Sequence, residues 1–412
     1  MPMPILKFLS DNAPWLGAGV LMTLSSSFGQ TFFISIFAGE IRSEFNLSHS
    51  DWGEIYTIGT LASAATMMVV GSVADHMRVR RLAAFVMLGL AGMCFAIAIT
   101  DVVWLLPVMI FGLRFFGQGM LTHIPAVAVG RWFRANRGRA ISIVFLGHSF
   151  GQALFPAAFV VLMSISNWRT AWMVAALLPL IAIPPLLVLL KQERRPQSLA
   201  LEAGGTGMRN MDWTRSQVIR HWLFWATFPG FLAQPVFSTA LAFQQVHLSE
   251  IKGWSHAGFA SLFAVMTIAN IIGLWIAGGA IDRFGVARVV PLMLVPAALG
   301  YSLIAGVSGL DGAAVGMALV GFSTGVIAAV GGVYWPEVYG SRYLGSIRSM
   351  ATAIMVFATA LGPGISGYLI DAGLDFRLQL YGITILSIAA SVSLGLAMWR
   401  ALPLLKPSAL QK

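Results

Sequence analysis

Long apolar segments alternate with short polar ones along the whole chain, and twelve of the apolar segments are long enough to cross a membrane. A helix needs about 20 predominantly apolar residues to span the hydrocarbon core of a bilayer. The predicted spans are residues 14–39, 52–74, 82–101, 102–130, 139–163, 168–190, 220–246, 256–280, 288–308, 312–336, 344–370 and 376–402. The pattern therefore predicts an all-α membrane protein with twelve transmembrane helices.

The second half of the chain repeats the first at an offset of 207 residues. This offset superposes Trp15 on Trp222 and Pro156 on Pro363 without an insertion. A repeat of this length indicates one structural unit written twice, here two six-helix bundles related by a pseudo-twofold. We predict an N-terminal bundle over 1–190, a cytoplasmic linker over 191–219, a C-terminal bundle over 220–402 and a cytoplasmic tail over 403–412.

A glycine and an aspartate recur at the end of the second span of each half, just before a cationic turn. Gly71 and Asp75 in the first copy correspond to Gly278 and Asp282 in the second. A carboxylate at a helix C-terminus faces the negative end of the helix dipole, so it needs a compensating partner. We therefore expect Asp75 and Asp282 to have cationic or amide partners.

These two loops resemble the hallmark loop between the second and third helices of the major facilitator superfamily. That family pattern reads Gly-x-Leu-Ala-Asp-Arg-x-Gly-Arg-Arg, and the second copy keeps Arg283 and Gly285 as well as the first glycine and the aspartate. The first copy departs from it at His76 and Arg78. The resemblance implies two bundles that move against each other, with these loops acting as gates on the cytoplasmic side.

Two further motifs narrow the resemblance. Arg114-x-x-x-Gln118-Gly119 is similar to the fourth-helix pattern of the superfamily. The segment 132–140, Trp-Phe-Arg-Ala-Asn-Arg-Gly-Arg-Ala, resembles the oxalate/formate antiporter and monocarboxylate transporter branch. However, Asn270 and the residues after it lack the Asp-x-x-x-Arg-Pro signature that animal members of that branch carry in the eighth helix. The resemblance implies transport of a small organic anion, whereas proton-coupled lactate transport through that signature is disfavoured.

Composition and charge place the chain in a bilayer with its termini inside. Hydrophobic residues make up 58% of the chain and charged residues 10%, which leaves too little polar surface for a soluble protein of 412 residues. Of 26 Lys and Arg residues, twenty fall in the predicted cytoplasmic segments and four on the opposite side. The net charge of +10 is therefore a topology signal, and we expect no nucleic-acid partner. We predict cytoplasmic termini in a bacterial inner membrane.

Polar side chains inside the spans are the candidate substrate ligands. Arg114 lies near mid-depth, where an ionised group is costly and needs a role or a partner, and no Asp or Glu is comparably central. It can bind an incoming carboxylate through its planar fork, or satisfy helix carbonyls and organise the bundle. His148 and Gln152 share one face of the fifth helix, and His148 can carry a proton or simply join two helices.

The other candidates fall into two groups. Central polar residues that can donate to substrate oxygens, with interhelical hydrogen bonding as the alternative for each, are Gln30, Gln234 and Asn270. Arg348 lies a few residues into the eleventh helix, so we assign it to a cytoplasmic gate rather than to substrate.

These features predict a secondary transporter or facilitator for a small organic anion, with a monocarboxylate as the expected substrate. Proton-driven efflux of hydrophobic, drug-like compounds is an open alternative, and a non-transporting membrane receptor is an alternative of another class. The chain has no nucleophile with a base, no phosphate loop and no metal-ligand cluster, so we predict no enzymatic activity, no metal and no cofactor. The expected partners are the substrate, possible coupling protons and the lipid bilayer, and the expected state is a monomer.

Overall fold

The computed structural model describes residues 5–71, 73–133, 137–192, 207–208, 211–340 and 343–405. All regular secondary structure in these ranges is helical. The chain divides into two compact units, Met1–Ala200 and Leu201–Lys412. The helical spans of both units are numbered here in chain order.

The first unit contains spans 1 to 6. Their bounds are 5–45 with internal breaks for span 1, His49–Val70 for span 2, Val79–Ile99 for span 3, 103–132 with internal changes of helix type for span 4, Arg137–Ile165 for span 5 and Trp168–Leu189 for span 6. Within the unit, span 1 packs on span 5, span 2 on span 4, and span 3 on span 6.

The second unit contains spans 7 to 12. Their bounds are Trp222–Phe243 for span 7, His256–Phe284 for span 8, Val286–Gly306 for span 9, Leu310–Tyr339 for span 10, Leu344–Asp371 for span 11 and Phe376–Ala401 for span 12. Span 7 packs on span 11, span 8 on span 10, and span 9 on span 12. This pairing matches that of the first unit, so the sequence repeat corresponds to a repeat of helix packing.

The described helices are those of a membrane protein. Ten of them are long and apolar enough to cross a bilayer, and the bent span 1 makes an eleventh when its two halves are counted together. Span 7, with 22 residues, occupies the remaining place in the repeat. The predicted all-α membrane fold is confirmed, and the chain is an integral multi-pass membrane protein.

Spans 1 and 4 are less regular than their sequence pattern predicts. Span 1 starts at Ile5 rather than at residue 14, and its axis bends by 48° between Lys7–Gly29 and Thr31–Phe45. Span 4 changes to π-helical geometry over Leu113–Met120. Apolar composition predicted the approximate bounds of these spans but not the bend or the change of helix type, because local backbone geometry depends on neighbouring helices.

Serine residues cap the second span of each unit. Ser48 and Asp51 form a reciprocal capping box, with Asp51 N–H donating to Ser48 Oγ over 3.1 Å and Ser48 N–H to the Asp51 carboxylate over 2.9 Å. Ser255 caps span 8 by accepting from Gly258 N–H at 3.1 Å. Both serines satisfy backbone donors that a helix start leaves unpaired.

The predicted linker contains structure at its C-terminal end. A short helix, Arg215–Arg220, begins with a capping box formed by Thr214 and Gln217. Just before it, the buried Trp213 donates its backbone N–H to Tyr339 O at 2.9 Å. Residues 211–220 therefore pack onto the second unit instead of forming an extended connection, while 193–206 lie outside the described residues.

Candidate functional site

The bend in span 1 is the structural centre of the candidate site. The chain leaves helical geometry at Gln30, whose backbone is extended with φ −88° and ψ 152°. The preceding residues, Ser25–Ser27 and Gly29, have low helix propensity, which makes the interruption inexpensive. A break of this kind exposes backbone carbonyls that need new partners inside the membrane.

Close packing of span 1 against span 4 explains two of the glycines. A Cβ added to Gly29 would lie 2.7 Å from Gly117 Cα and would also clash with Leu113 O. A Cβ on Gly117 would lie 2.6 Å from Gly29 Cα. Only glycine at both positions allows the two backbones to approach this closely, and the approach brings the π-helical stretch of span 4 next to the bend.

Arg114 lies in that π-helical stretch and points at the bend. Its side chain is only 1% exposed. Arg114 Nη1 donates to Gly29 O at 3.1 Å and to Thr31 Oγ1 at 3.3 Å, and the guanidinium carbon is 5.4 Å from the centre of the Tyr56 ring. Tyr56 and Thr31 share a hydrogen bond of 2.6 Å between their hydroxyls. The arginine therefore satisfies a carbonyl that the bend has freed.

The other two nitrogen atoms of the guanidinium, Nε and Nη2, make no hydrogen bonds to described residues. Arg114 Nε is buried without a hydrogen-bond partner, and Nη1 alone makes the hydrogen bonds that the described part of the chain provides. None of the ion pairs between described residues includes Arg114. A buried charge with neither a counterion nor full hydrogen bonding is unfavourable, so the free edge of Arg114 is suited to an anionic ligand.

Span 5 contributes a second polar group on another side of the bend. His148 is half-buried and packs edge-to-face on Phe32, with ring centroids 5.7 Å apart. Among the described residues, its buried Nδ1 atom has no hydrogen-bond partner, and neither has Ser27 Oγ just before the bend. Gly151 precedes the half-buried Gln152 on span 5. It allows span 5 to approach span 1 closely, because a Cβ at this position would collide with the Ser27 hydroxyl.

The structure thus brings several predicted residues together in the first unit. Gln30 lies at the bend, and Arg114 contacts Gly29 and Thr31 on either side of Gln30. His148 contacts Phe32, which follows Gln30 by two positions. Sequence reasoning missed Tyr56 and Thr31, which share the hydrogen-bond network. The run of serines before Gly29 was the available signal for the break.

In the second unit, Gln234 is already fully engaged. Its Nε2 donates to Val320 O at 3.2 Å and to Thr324 Oγ1 at 3.1 Å, and its Oε1 accepts from Tyr301 at 3.3 Å. These bonds join spans 7, 9 and 10. They favour the alternative in which Gln234 holds helices together.

Asn270 lies half-buried on span 8, at one of the close contacts between that span and span 10. Its backbone carbonyl occupies the space that a Cβ on Gly325 would need. The position equivalent to Arg114 in the repeat is Gly321, which faces Met266 O in the same way. The buried guanidinium therefore has no counterpart in the second unit, and the two halves of the repeat differ in chemistry.

The two loops that the sequence predicts to act as gates have different backbones. In the second copy Gly285 has φ +81°, a conformation that favours glycine. In the first copy Arg78 occupies the equivalent position with φ −63°, so the turn needs no glycine there. Gly71 is buried, and its carbonyl accepts from His123 Nε2 at 3.1 Å.

The remaining gate residues are only partly described. Asp282 is exposed in the last turn of span 8, four residues after the half-buried Gly278. Arg348 is exposed near the start of span 11. The side chain of Asp75 lies outside the described residues, so its expected partners stay a prediction.

Comparison with known proteins agrees with this architecture. Residues 19–278 and 230–411 match the sequence profile of the Major Facilitator Superfamily. The chain belongs to the major facilitator superfamily. Its family and fold are therefore those of membrane transporters that work by alternating access, and the resemblance stated from the sequence is confirmed at this level.

Solved superfamily structures cover nearly the whole chain. A bacterial homologue of the human lysosomal transporter Spinster, in an inward-facing and unoccupied conformation, aligns with a TM-score of 0.72 at 17% identity, covering 97% of this chain and 99% of that one. The nucleoside transporter NupG aligns with a TM-score of 0.69 at 15% identity, covering 95% and 98%. At these identities the similarity shows the superfamily fold alone.

A relative in sequence is an uncharacterised 38 kDa protein in the 23S RNA operon of Thermoproteus tenax. It is 25% identical over 268 residues, and the match covers 64% of each chain. The chain therefore spans less than two thirds of the length of this relative.

Proposed function

We propose that this protein is a secondary transporter or facilitator that moves a small organic anion, with a monocarboxylate as the expected class, by alternating access. The observation that carries the proposal is the buried guanidinium of Arg114, which no described carboxylate neutralises. An anion arriving at this site supplies the missing charge and the missing acceptors.

The hydrogen bonds of Arg114 favour a carboxylate in particular. A guanidinium presents its donors in a rigid planar fork that matches two carboxylate oxygens. Nη1 is used by Gly29 O and Thr31 Oγ1, which fixes the plane of the group. The edge formed by Nε and Nη2 is then the one available for a bidentate pair, and such charge-assisted bonds are about twice as strong as neutral ones.

The depth of Arg114 suits a transport site. Span 4 begins at Val103, so Arg114 lies about 17 Å along it at 1.5 Å per residue. This is close to half of the roughly 30 Å hydrocarbon core. Superfamily transporters bind substrate near the bilayer midplane, where the site can open alternately to either side.

Other polar groups at the bend complete the proposed site. Gln30 and Gln152 supply amides for further substrate oxygens, and the unpartnered Nδ1 of His148 offers a hydrogen bond or a proton site. Asn270, on the second unit, stays a separate candidate for a hydrogen bond to substrate. Gln234 is left out because its amide is already bonded within its own unit.

Efflux of hydrophobic compounds and a receptor role are less well supported. A cationic drug would be repelled by the uncompensated charge of Arg114 at the site. A receptor has no need for the duplicated gating loops at Gly71 and Gly278. Both alternatives predict that labelled organic acids are not exchanged across the membrane.

The decisive experiment is counterflow in proteoliposomes with a panel of labelled organic acids, nucleosides and cationic drugs. We expect exchange with at least one organic acid and none with the cations. In Arg114→Lys the charge stays but the bidentate fork is lost, so affinity for that acid should fall about 10- to 100-fold.

Arg169→Lys is the matched control. Arg169 pairs with Glu44 and Asp101 at 2.5 Å and 2.7 Å, and Glu44 lies in the last turn of span 1, fourteen positions after Gln30. It should lose stability but retain substrate affinity. Unchanged affinity in folded Arg114→Lys and Arg114→Gln would reduce Arg114 to a helix-organising residue and overturn the proposal.

A further inference from the structure

A cationic groove lies at one end of the first unit, between the start of span 3 and the end of span 6. It encloses a cavity of about 360 Å³. Four cations and two leucines line it: Arg78, Arg80, Arg81, Leu187, Leu190 and Lys191. None of these residues belongs to the candidate transport site, and the positive-inside rule places them at the cytoplasmic surface.

Specific contacts give the groove a defined shape. Arg80 Nε donates to Leu187 O at 3.1 Å, which ties the start of span 3 to the end of span 6. Trp15 Nε1 donates to Gln192 O at 2.9 Å, which ties the same end to span 1. The groove is therefore held by three spans rather than formed by loose surface side chains.

Three of the groove cations have no counterion among the described residues. Within the part of the chain that the structure describes, no carboxylate lies within ion-pair distance of Arg78, Arg81 or Lys191. Arg78 is also the N-cap residue of the 21-residue span 3, and its side chain makes no hydrogen bond to the backbone N–H groups of the first turn. The free N–H groups at a helix start favour an anion, above all a phosphate, and so add to the field of the cations.

Apolar side chains continue from the groove into the membrane. On span 3, Phe85 follows Arg81 by one turn and is 65% exposed, and Leu88 continues the same face. On span 6, Val188 is 73% exposed and Ile181 lies two turns deeper at 66%. An exposed apolar stripe that begins at a cation cluster fits the acyl chains of a lipid whose charged headgroup binds the cations. A free phosphate ion would make no use of the apolar stripe.

We propose that this groove binds the phosphate headgroup of an anionic phospholipid of the cytoplasmic leaflet, with its acyl chains along spans 3 and 6. Basic pockets between transmembrane helices on this side of a membrane are suited to such headgroups. The bound lipid neutralises the groove cations and bridges the two spans at the end where they leave the bilayer.

Lipid retention by the purified protein tests this. The unmodified full chain in detergent is mixed with phosphatidylglycerol or phosphatidylcholine, and bound lipid is counted by native mass spectrometry. We expect phosphatidylglycerol to be retained and Arg78→Gln/Arg81→Gln to reduce its retention at least about fivefold. Arg80 is left unchanged because it holds the two spans together.

The matched control removes two cations from the other unit. Arg283→Gln/Arg288→Gln changes the net charge equally, at exposed positions outside the groove, and should alter retention by less than about twofold. An equal loss in both double variants, or equal retention of phosphatidylcholine by the unmodified protein, would overturn the proposal. Displacement of the lipid by millimolar inorganic phosphate would also overturn it, because the site would then be one for a soluble anion.

Discussion

At the scale of single residues, the bend in span 1 and Arg114 explain each other. The break frees the carbonyl of Gly29, and Arg114 Nη1 satisfies it. Thr31 and Tyr56 then orient the guanidinium through one shared hydrogen bond. An arginine positioned in this way keeps its remaining donors in a fixed direction, which lowers the entropic cost of binding a planar anion.

Replacing Thr31 by valine should therefore weaken substrate binding as well as stability. Thr31→Val keeps the side-chain shape but removes the acceptor for Arg114 and the partner of Tyr56. We expect about 1–2 kcal/mol lower stability and about a three- to tenfold weaker affinity for an organic acid. Binding by isothermal calorimetry and thermal unfolding measure the two effects.

The second unit offers a matched control for this variant. Thr227 and Tyr334 share a buried hydrogen bond of 2.9 Å between their hydroxyls. Thr227→Val should lower stability by a similar amount and leave affinity unchanged. If both variants weaken binding to the same extent, the effect of Thr31 is on the fold and not on Arg114.

His148 is the residue that tests proton coupling. If it carries the coupling proton, His148→Gln should abolish uptake driven by a pH gradient. Exchange at equal pH should survive, because exchange need not return an empty, deprotonated carrier. Transport in proteoliposomes under the two conditions separates the steps, and survival of both activities would exclude His148 as the coupling group.

At the scale of helices, glycines determine how closely span 1 approaches its neighbours. Gly29 meets Gly117 on span 4, and Gly147 on span 5 faces the backbone of Val20 and the side chain of Thr23. Small residues at such contacts permit the van der Waals packing that drives helix association in membranes. Span 1 and its neighbours therefore leave no room for a larger side chain at Gly29, Gly117 or Gly147.

Substitution of Gly147 should be costly because its neighbour is rigid backbone. Gly147→Val is expected to lower the free energy of unfolding by about 1–3 kcal/mol through overpacking. Gly92 on span 3 is the control, since nothing lies within 4 Å of an added Cβ there. Gly92→Ala should be neutral or slightly stabilising, and thermal unfolding in detergent compares the two; a neutral Gly147→Val would contradict the packing.

At the scale of the whole molecule, the repeat supplies two similar units whose chemistry differs. Both units pair their spans in the same order, yet the repeat position of Arg114 is Gly321 in the second unit. The gating loops differ too, with Gly285 at positive φ opposite Arg78 at negative φ. We therefore expect the two loops to contribute unequally to the state balance of the transporter.

Neutralising the loop aspartates should shift that balance. If Asp75 and Asp282 clamp the cytoplasmic side, Asp75→Asn and Asp282→Asn should each increase labelling of a single cysteine placed on that side. The background is Cys94→Ala, since the native thiol is buried and is the chain's one cysteine. Unchanged labelling in both variants would remove the gating role.

Features that the bilayer imposes on each segment separately could be predicted from the amino-acid sequence. Span number, the repeat and the serine caps at Ser48 and Ser255 could be predicted, since each depends on composition or on residues a few positions apart. Arg114 could also be predicted as a candidate substrate ligand from its position in the span, because a charge at mid-depth in the bilayer is costly wherever its neighbours lie.

The pairing of polar groups from different spans could not be predicted before the folded chain was known. The contacts of Arg114 with Gly29 and Thr31 join residues more than 80 positions apart, and those of Gln234 with Val320 and Tyr301 span similar separations. Such pairs depend on the rotation and approach of packed helices. Apolar composition does not encode these, because lipid and protein neighbours are equally apolar to a side chain.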